Sequence, residues 1–141
     1  GMVNKLGKET YIFDGIAPLV SQQTVEIGNV IPEGFLSVFQ VNGDSDSLVP
    51  VNGGIGVANT NFMSASASAE NWALNFGCLM TPEQEILEWG DKTVDAFSFS
   101  GCIQNNEVRY FIVQDSGHTI QFGGQTNLFN QIWDFFKSIE N

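Results

Sequence analysis

Basic residues are scarce in this chain of 141 residues: five Lys and Arg stand against sixteen Asp and Glu, a net charge of -11. Phosphate backbones and anionic lipid surfaces bind through a basic footprint, so the composition opposes nucleic acid and membrane surfaces as partners. Long hydrophobic runs are also missing. None approaches the about 18 apolar residues of a membrane-spanning helix, and no signal-peptide pattern opens the sequence. There are two cysteines, Cys78 and Cys102, too far apart for a C-x-x-C redox or zinc motif. They are either two buried thiols or a disulfide closing a loop of about 25 residues, worth roughly 3 kcal/mol in loop-closure entropy. Repeats and low-complexity linkers are absent too.

What is present is core material. Hydrophobic residues make up 43% and charged residues 15%, with twelve Phe and three Trp. That is the composition of a globular chain, and its length suits one domain, residues 2–141. Gly1 before Met2 reads as a residue left by tag removal and is set aside.

Met2 to Thr10 has weak helical character, with Gly7 counting against it. Phe13 to Val20 is short and mostly apolar, the pattern of a buried strand. Gln22 to Gly34 is polar and punctuated by Gly28, Pro32 and Gly34, which predicts a loop. Phe35 to Val41 is nearly continuous apolar, as in a parallel strand covered on both faces. It runs into Asn42-Gly43-Asp44-Ser45-Asp46, a dense turn signal. Ser66 to Phe76 predicts a helix with Ala69, Trp72, Ala73 and Phe76 on one face, Ser66 or Ser68 as cap and Gly77 as stop. Thr93 to Phe99 and Glu107 to Val113 predict strands joined as a hairpin. Asn127 to Ile139 predicts a final helix with an apolar stripe of Leu128, Phe129, Ile132, Trp133, Phe136 and Ile139. Strands alternating with helices place the chain in the α/β class, with a mostly parallel sheet of three to five strands between flanking helices, a complete or incomplete three-layer arrangement.

In such a sheet functional groups gather beyond the carboxyl ends of the strands. Two predicted strands end in chemistry-bearing loops: one at Asp44 and Asp46, the other at His118, the only histidine. Imidazole titrates near neutrality and can take and return a proton. A carboxylate on one ring nitrogen fixes its tautomer and stabilises the imidazolium. Asp46 lies further beyond its strand and is the candidate to face His118, whereas Asp44 is assigned to holding the turn. A calcium site at Asp44, Asp46 and His118 needs further oxygens to converge, and no metal is assigned.

The ordered set of motifs resembles the α/β-hydrolase esterases of the polyhydroxybutyrate depolymerase and feruloyl esterase type, over nearly the whole chain. Met2-Val3-Asn4-Lys5-Leu6 and Phe13-Asp14-Gly15-Ile16-Ala17-Pro18 are similar to the helix after the nucleophile and the next strand. Asn42 to Pro50, then Asn52-Gly53-Gly54, is similar to the acid loop. Trp72, Asn75 and Cys78 match the following helix and first cysteine, and Cys102 the second. Gly117-His118-Thr119, Gly123-Gly124 and Ile132-Trp133-Asp134-Phe135-Phe136 resemble the histidine loop and last helix. The resemblance implies Asp46 as triad acid, His118 as general base and then general acid, a structural Cys78–Cys102 disulfide, an exported or periplasmic parent protein, an ester substrate and no cofactor. Two departures bear on substrate class: Asn42-Gly43 stands where the family has His-Gly, and Ile120-Gln121 where it has Trp-Pro.

The family's serine sits on a G-x-S-x-G elbow between strand and helix, and the sequence contains no such pattern. Ser98-Phe99-Ser100-Gly101 lacks the first glycine and leads to no helix. Ser116 precedes the histidine out of chain order, and Ser45 is in the acid loop. The resemblance therefore implies the C-terminal half of an esterase, cut after its nucleophile and without oxyanion donors, hence inactive alone. The cut would leave Phe13 to Val20 as an open sheet edge beside an apolar patch, and self-association as a twofold dimer is expected. The alternative function is a non-catalytic binding or interaction module in which Asp46 and His118 are relics.

Overall fold

Seven consecutive buried residues, Ser37–Gly43, form the strand around which the rest is built. The computed structural model describes residues 1–123 and 128–139; Gly124 and Asn127, named above, lie outside the described residues. The elements are α1 (Met2–Glu9), β1 (Gly15–Ile16), α2 (Val25–Gly28), β2 (Ser37–Gly43), β3 (Gly54–Ile55), β4 (Asn61–Phe62), α3 (Ala65–Asn75), β5 (Glu83–Trp89), β6 (Lys92–Phe99), β7 (Val108–Val113) and α4 (Leu128–Ser138). The main sheet has the order β1-β2-β7-β6-β5, and β3 pairs with β4 in a small separate ribbon.

The α/β class holds, but the sheet is only half parallel. β1 runs parallel to β2, and β2 to β7. β7 with β6 and β6 with β5 are antiparallel. The β6–β7 reversal is the predicted hairpin. β5 is a strand that sequence patterning misses: Glu83-Gln84-Glu85-Ile86-Leu87-Glu88 shows no apolar alternation, and only Trp89 in it is buried. It forms because the Gly90-Asp91 turn, with Gly90 at φ 60, folds it back on β6. Positive φ of this kind is natural for glycine. The strand expected over Phe13 to Val20 shrinks to Gly15–Ile16 plus a bridge from Leu19 to Val41. Pro18 has no N–H to offer a ladder, and Val20 turns to φ 45.

β2 alternates between two cores. Val38 packs on the α3 side with Trp72, Ala73, Phe76, Val108 and Tyr110. Phe39 and Val41 pack on the α4 side with Phe111, Val113, Leu128, Ile132 and Phe135. Helices thus cover both faces. In α3 the predicted apolar face is buried, and Gly77 at φ 67 follows its last turn. The cap is Ser64, whose Oγ accepts from Ala67 N at 3.1 Å, and neither Ser66 nor Ser68 takes that role. Gly7 in α1 has a packing reason: a Cβ there would lie 3.0 Å from Ile16 and 3.2 Å from Trp72. Cys78 and Cys102 are disulfide-bonded, which ties the end of α3 to the β6–β7 connection. The apolar stripe of α4 is wider than its buried face, since Phe129 and Trp133 are both 63% exposed. Met2, Leu6, Tyr11 and Ile12 are also exposed near the β1 edge. No helix among the described residues is long and apolar enough to cross a membrane.

The polar stretch from Gln22 carries the short helix α2, and its glutamines are fully buried. They belong to a hydrogen-bonded chain through the α3 side. Lys8 Nζ donates to Val30 O and Asn71 Oδ1, both at 2.8 Å, and lies 4.8 Å from the Trp72 ring centroid. Gln23 Nε2 donates to Asn71 Oδ1, and its backbone N–H to Ser68 Oγ. Ser68 in turn donates to Gln40 Oε1 on β2. Such a network pairs most of these buried groups, which are costly to leave unpaired, though Gln23 Oε1 has no partner among the described residues.

Burial lowers the Lys8 pKa from 10.5 to about 8, because the charged form loses its hydration. Between these values the unfolded chain binds more protons than the folded one, so this group's contribution to stability rises with pH across that window. Urea unfolding from pH 7.5 to 10.5 should therefore show the stability of the native protein rising relative to Lys8→Met. A difference independent of pH would refute the burial of an ionisable amine here.

Candidate functional site

The parallel register of β2 and β7 ends with Gly43 opposite Val113. Two loops consequently leave the same sheet edge side by side. Backbone bonds lash them together: Asp44 N donates to Val113 O at 3.1 Å and Ser45 N to Ser116 O at 2.9 Å. Gly43 makes this approach possible, because a Cβ on it would collide with the carbonyl oxygens of Ser116 and Gly117. Asp115 adopts φ 51 where the second loop turns, a conformation Asp tolerates better than most residues. Its carbonyl accepts from Lys92 Nζ at 2.7 Å.

Asp46 and His118 meet across this junction. Asp46 Oδ2 lies 2.8 Å from His118 Nδ1. Asp46 Oδ1 accepts from the backbone N–H groups of Leu48 at 2.8 Å and Val49 at 2.9 Å. The Asp46 side chain is completely buried, and that of His118 is 38% exposed. One carboxylate oxygen is thus locked by the turn and the other is aimed at the imidazole. With a carboxylate as acceptor Nδ1 is the donor of this bond, and Nε2 has no partner among the described residues. This is the tautomer that a general base needs.

Of the turn carboxylates, Asp46 both shapes its own loop and faces the histidine. Asp44 is exposed and accepts from the Ser45 hydroxyl at 2.9 Å. Among the described residues no three His, Cys, Asp or Glu side chains converge as a metal site. None of the three serines weighed in the sequence is bonded to His118 among the described residues. Ser98 donates to Glu107 at 2.8 Å, Ser45 is engaged with Asp44, and Ser116 is buried with no partner for its hydroxyl.

A brace beneath the acid loop escapes sequence reading. Asn42 Nδ2 donates to Gln22 Oε1 at 2.6 Å. Gln22 Nε2 donates to Pro50 O at 2.6 Å and Met63 O at 3.0 Å. Residues 42 and 50 flank Asp46, so a glutamine from a segment expected to be a plain loop sets the loop's two ends. Local pattern carries no signal for it, because Gln22 reaches Asn42 only through the fold. The chain matches no protein-family model and no curated protein in sequence comparison.

Gly43→Ala tests the junction. The collision with the Ser116 and Gly117 carbonyls should cost about 1–3 kcal/mol, as overpacking usually does, and should part His118 from Asp46. The native protein should show a slowly exchanging, strongly deshielded imidazole N–H in its proton spectrum. The variant should lose it, and its retention would mean that Gly43 does not set this contact.

Proposed function

We propose that Asp46 and His118 are the acid and base of a Ser-His-Asp carboxylic ester hydrolase of the α/β-hydrolase type, similar to polyhydroxybutyrate depolymerases and feruloyl esterases. The observation that carries the proposal is the bond from His118 Nδ1 to a buried Asp46 carboxylate whose other oxygen is held by two backbone amides. It lies at the carboxyl ends of adjacent parallel strands, where α/β folds do their chemistry. A solvated surface pair needs neither the burial nor the doubly anchored oxygen.

In the proposed reaction His118 Nε2 takes the proton of a serine hydroxyl as that oxygen attacks an ester carbonyl. The imidazolium, stabilised by Asp46, then gives the proton to the departing alcohol. Water repeats the sequence on the acyl-enzyme. With no G-x-S-x-G in the sequence, the serine and the oxyanion donors come from another segment of polypeptide, and residues 1–141 alone are inactive. The Cys78–Cys102 disulfide fits a secreted or periplasmic setting, since disulfides persist in oxidising compartments.

Assays with short p-nitrophenyl esters test this reading. The chain alone should show no turnover above buffer. Joined to the in-frame coding sequence upstream of Met2, it should hydrolyse them, with Asp46→Asn reducing kcat by about 10⁴-fold. Turnover by the chain alone that His118→Ala abolishes would place the nucleophile within it and overturn the division of the triad. An inactive joined protein would overturn the esterase reading and favour a non-catalytic binding module.

The β1 edge, unpaired among the described residues, and the exposed Met2, Leu6, Tyr11 and Ile12 carry a related proposal. The chain by itself covers this surface with a second copy. Light scattering at micromolar concentration should give twice the 15.4 kDa chain mass, and a monomer would exclude it.

A further inference from the structure

The other end of β7 carries a second feature, away from Asp46 and His118. A cleft of about 660 Å³ opens between α4 and the β5–β6 side of the sheet. Its floor is aromatic, with Phe39 tilted against Phe111 and Phe135 at centroid distances of 4.4 and 5.4 Å. Its outer wall is β5, the last strand of the sheet, so the far edge of Glu83–Trp89 has no strand beside it among the described residues. Glu83, Glu85 and Leu87 of β5 line the cleft, and so does Ala96, which pairs with Glu85. Gln84 also borders the cleft, whereas by strand alternation Ile86 and Glu88 lie on the opposite face, where Ile86 is 68% exposed.

The charges in the cleft do not balance. Arg109 is paired with Glu107 at 2.8 Å, and Asp134 with Lys137 at 2.9 Å. Glu83 and Glu85 have no partner among the described residues. Arg109 also lies 5.4 Å from the Phe135 ring centroid, so the cleft already seats one cation between a carboxylate and an aromatic face.

We infer that the β5 edge and this cleft form a docking site for a cationic extended peptide segment that adds as a further strand. Main-chain bonds to β5 supply the pairing. Alternate side chains of the added strand fall beside Glu83 and Glu85 on the cleft side, where lysine or arginine fits. The intervening side chains fall beside Ile86, where an apolar residue fits. The occupant is therefore a segment alternating basic and apolar residues. A second copy of β5 is the wrong occupant: it would bring Glu83, Glu85 and Glu88 of both strands into one ribbon that holds no cation, and like charges on neighbouring strands repel. The five Lys and Arg of residues 1–141 are scattered and none lies in β5, so the segment comes from outside these residues.

The probe is an end-blocked, fluorescently labelled seven-residue peptide alternating lysine and valine, titrated with the 141-residue protein. Saturable binding is expected, with shifts in the backbone amide resonances of β5 and β6. The double variant Glu83→Gln, Glu85→Gln should weaken it roughly fivefold, as two lost cross-strand charge pairs would. Glu26→Gln with Glu70→Gln, two exposed acids outside the cleft, should leave affinity unchanged. A peptide with proline in place of the central lysine should bind at least as weakly, since proline removes a ladder donor. Equal weakening by both double variants, or undiminished binding of the proline peptide, would reduce the interaction to general attraction by net charge and overturn the proposal. So would shifts confined to residues away from β5.

Discussion

The parallel pairing of β2 with β7 is the constraint on which the rest of the molecule depends. It is one of the two interior pairings of the sheet, and its register brings Gly43 level with Val113. From that alignment follow the two loop-to-loop backbone bonds, the near contact of Gly43 with the Ser116 and Gly117 carbonyls, and the span that Asp46 and His118 close. A one-residue slip would turn Phe39 and Val41 toward α3 and Gln40 toward α4, exchanging apolar and polar groups between the two cores. Hydrophobic packing on both faces thus sets the geometry of a polar site at the sheet's end.

Buried polar chemistry is spent on the same task. Gln22, Gln23, Gln40 and Asn42 are all fully buried. Their hydrogen bonds connect the segment after β1, the acid loop and α3 to β2. The acid loop is therefore held from above by the histidine loop and from below by Gln22. Lys8, buried among neutral partners and beside Trp72, is the one strongly shifted cation in this arrangement, and it lies on the α1 side rather than in the site.

The two ends of the sheet differ in character. At the carboxyl ends of β2 and β7 the carboxylate is buried and fully engaged, which suits orientation of a single imidazole. At the opposite end of β7 the Glu83 and Glu85 carboxylates of β5 are exposed and have no partner among the described residues, beside an aromatic floor, which suits recognition of a cation. Both follow from mixed strand direction: the parallel half converges its loops on one edge, and the antiparallel half leaves a long acidic strand open to solvent.

Local pattern alone determined the α/β class, the β2 strand, the β6–β7 hairpin, the buried face of α3, and Asp46 and His118 as the residues to watch. Each rests on periodicity, turn chemistry or the scarcity of a residue type, which short windows contain. The Asp46–His118 contact itself spans 72 positions and needed the sheet. So did β5, whose glutamates read as anything but a strand until Gly90 folds them onto β6. The choice between free thiols and a disulfide, the brace of Gln22, and the reason for Gly7 and Gly43 were likewise decided only by the tertiary structure. In each the deciding partner is remote along the chain, and the local residues are compatible with more than one outcome.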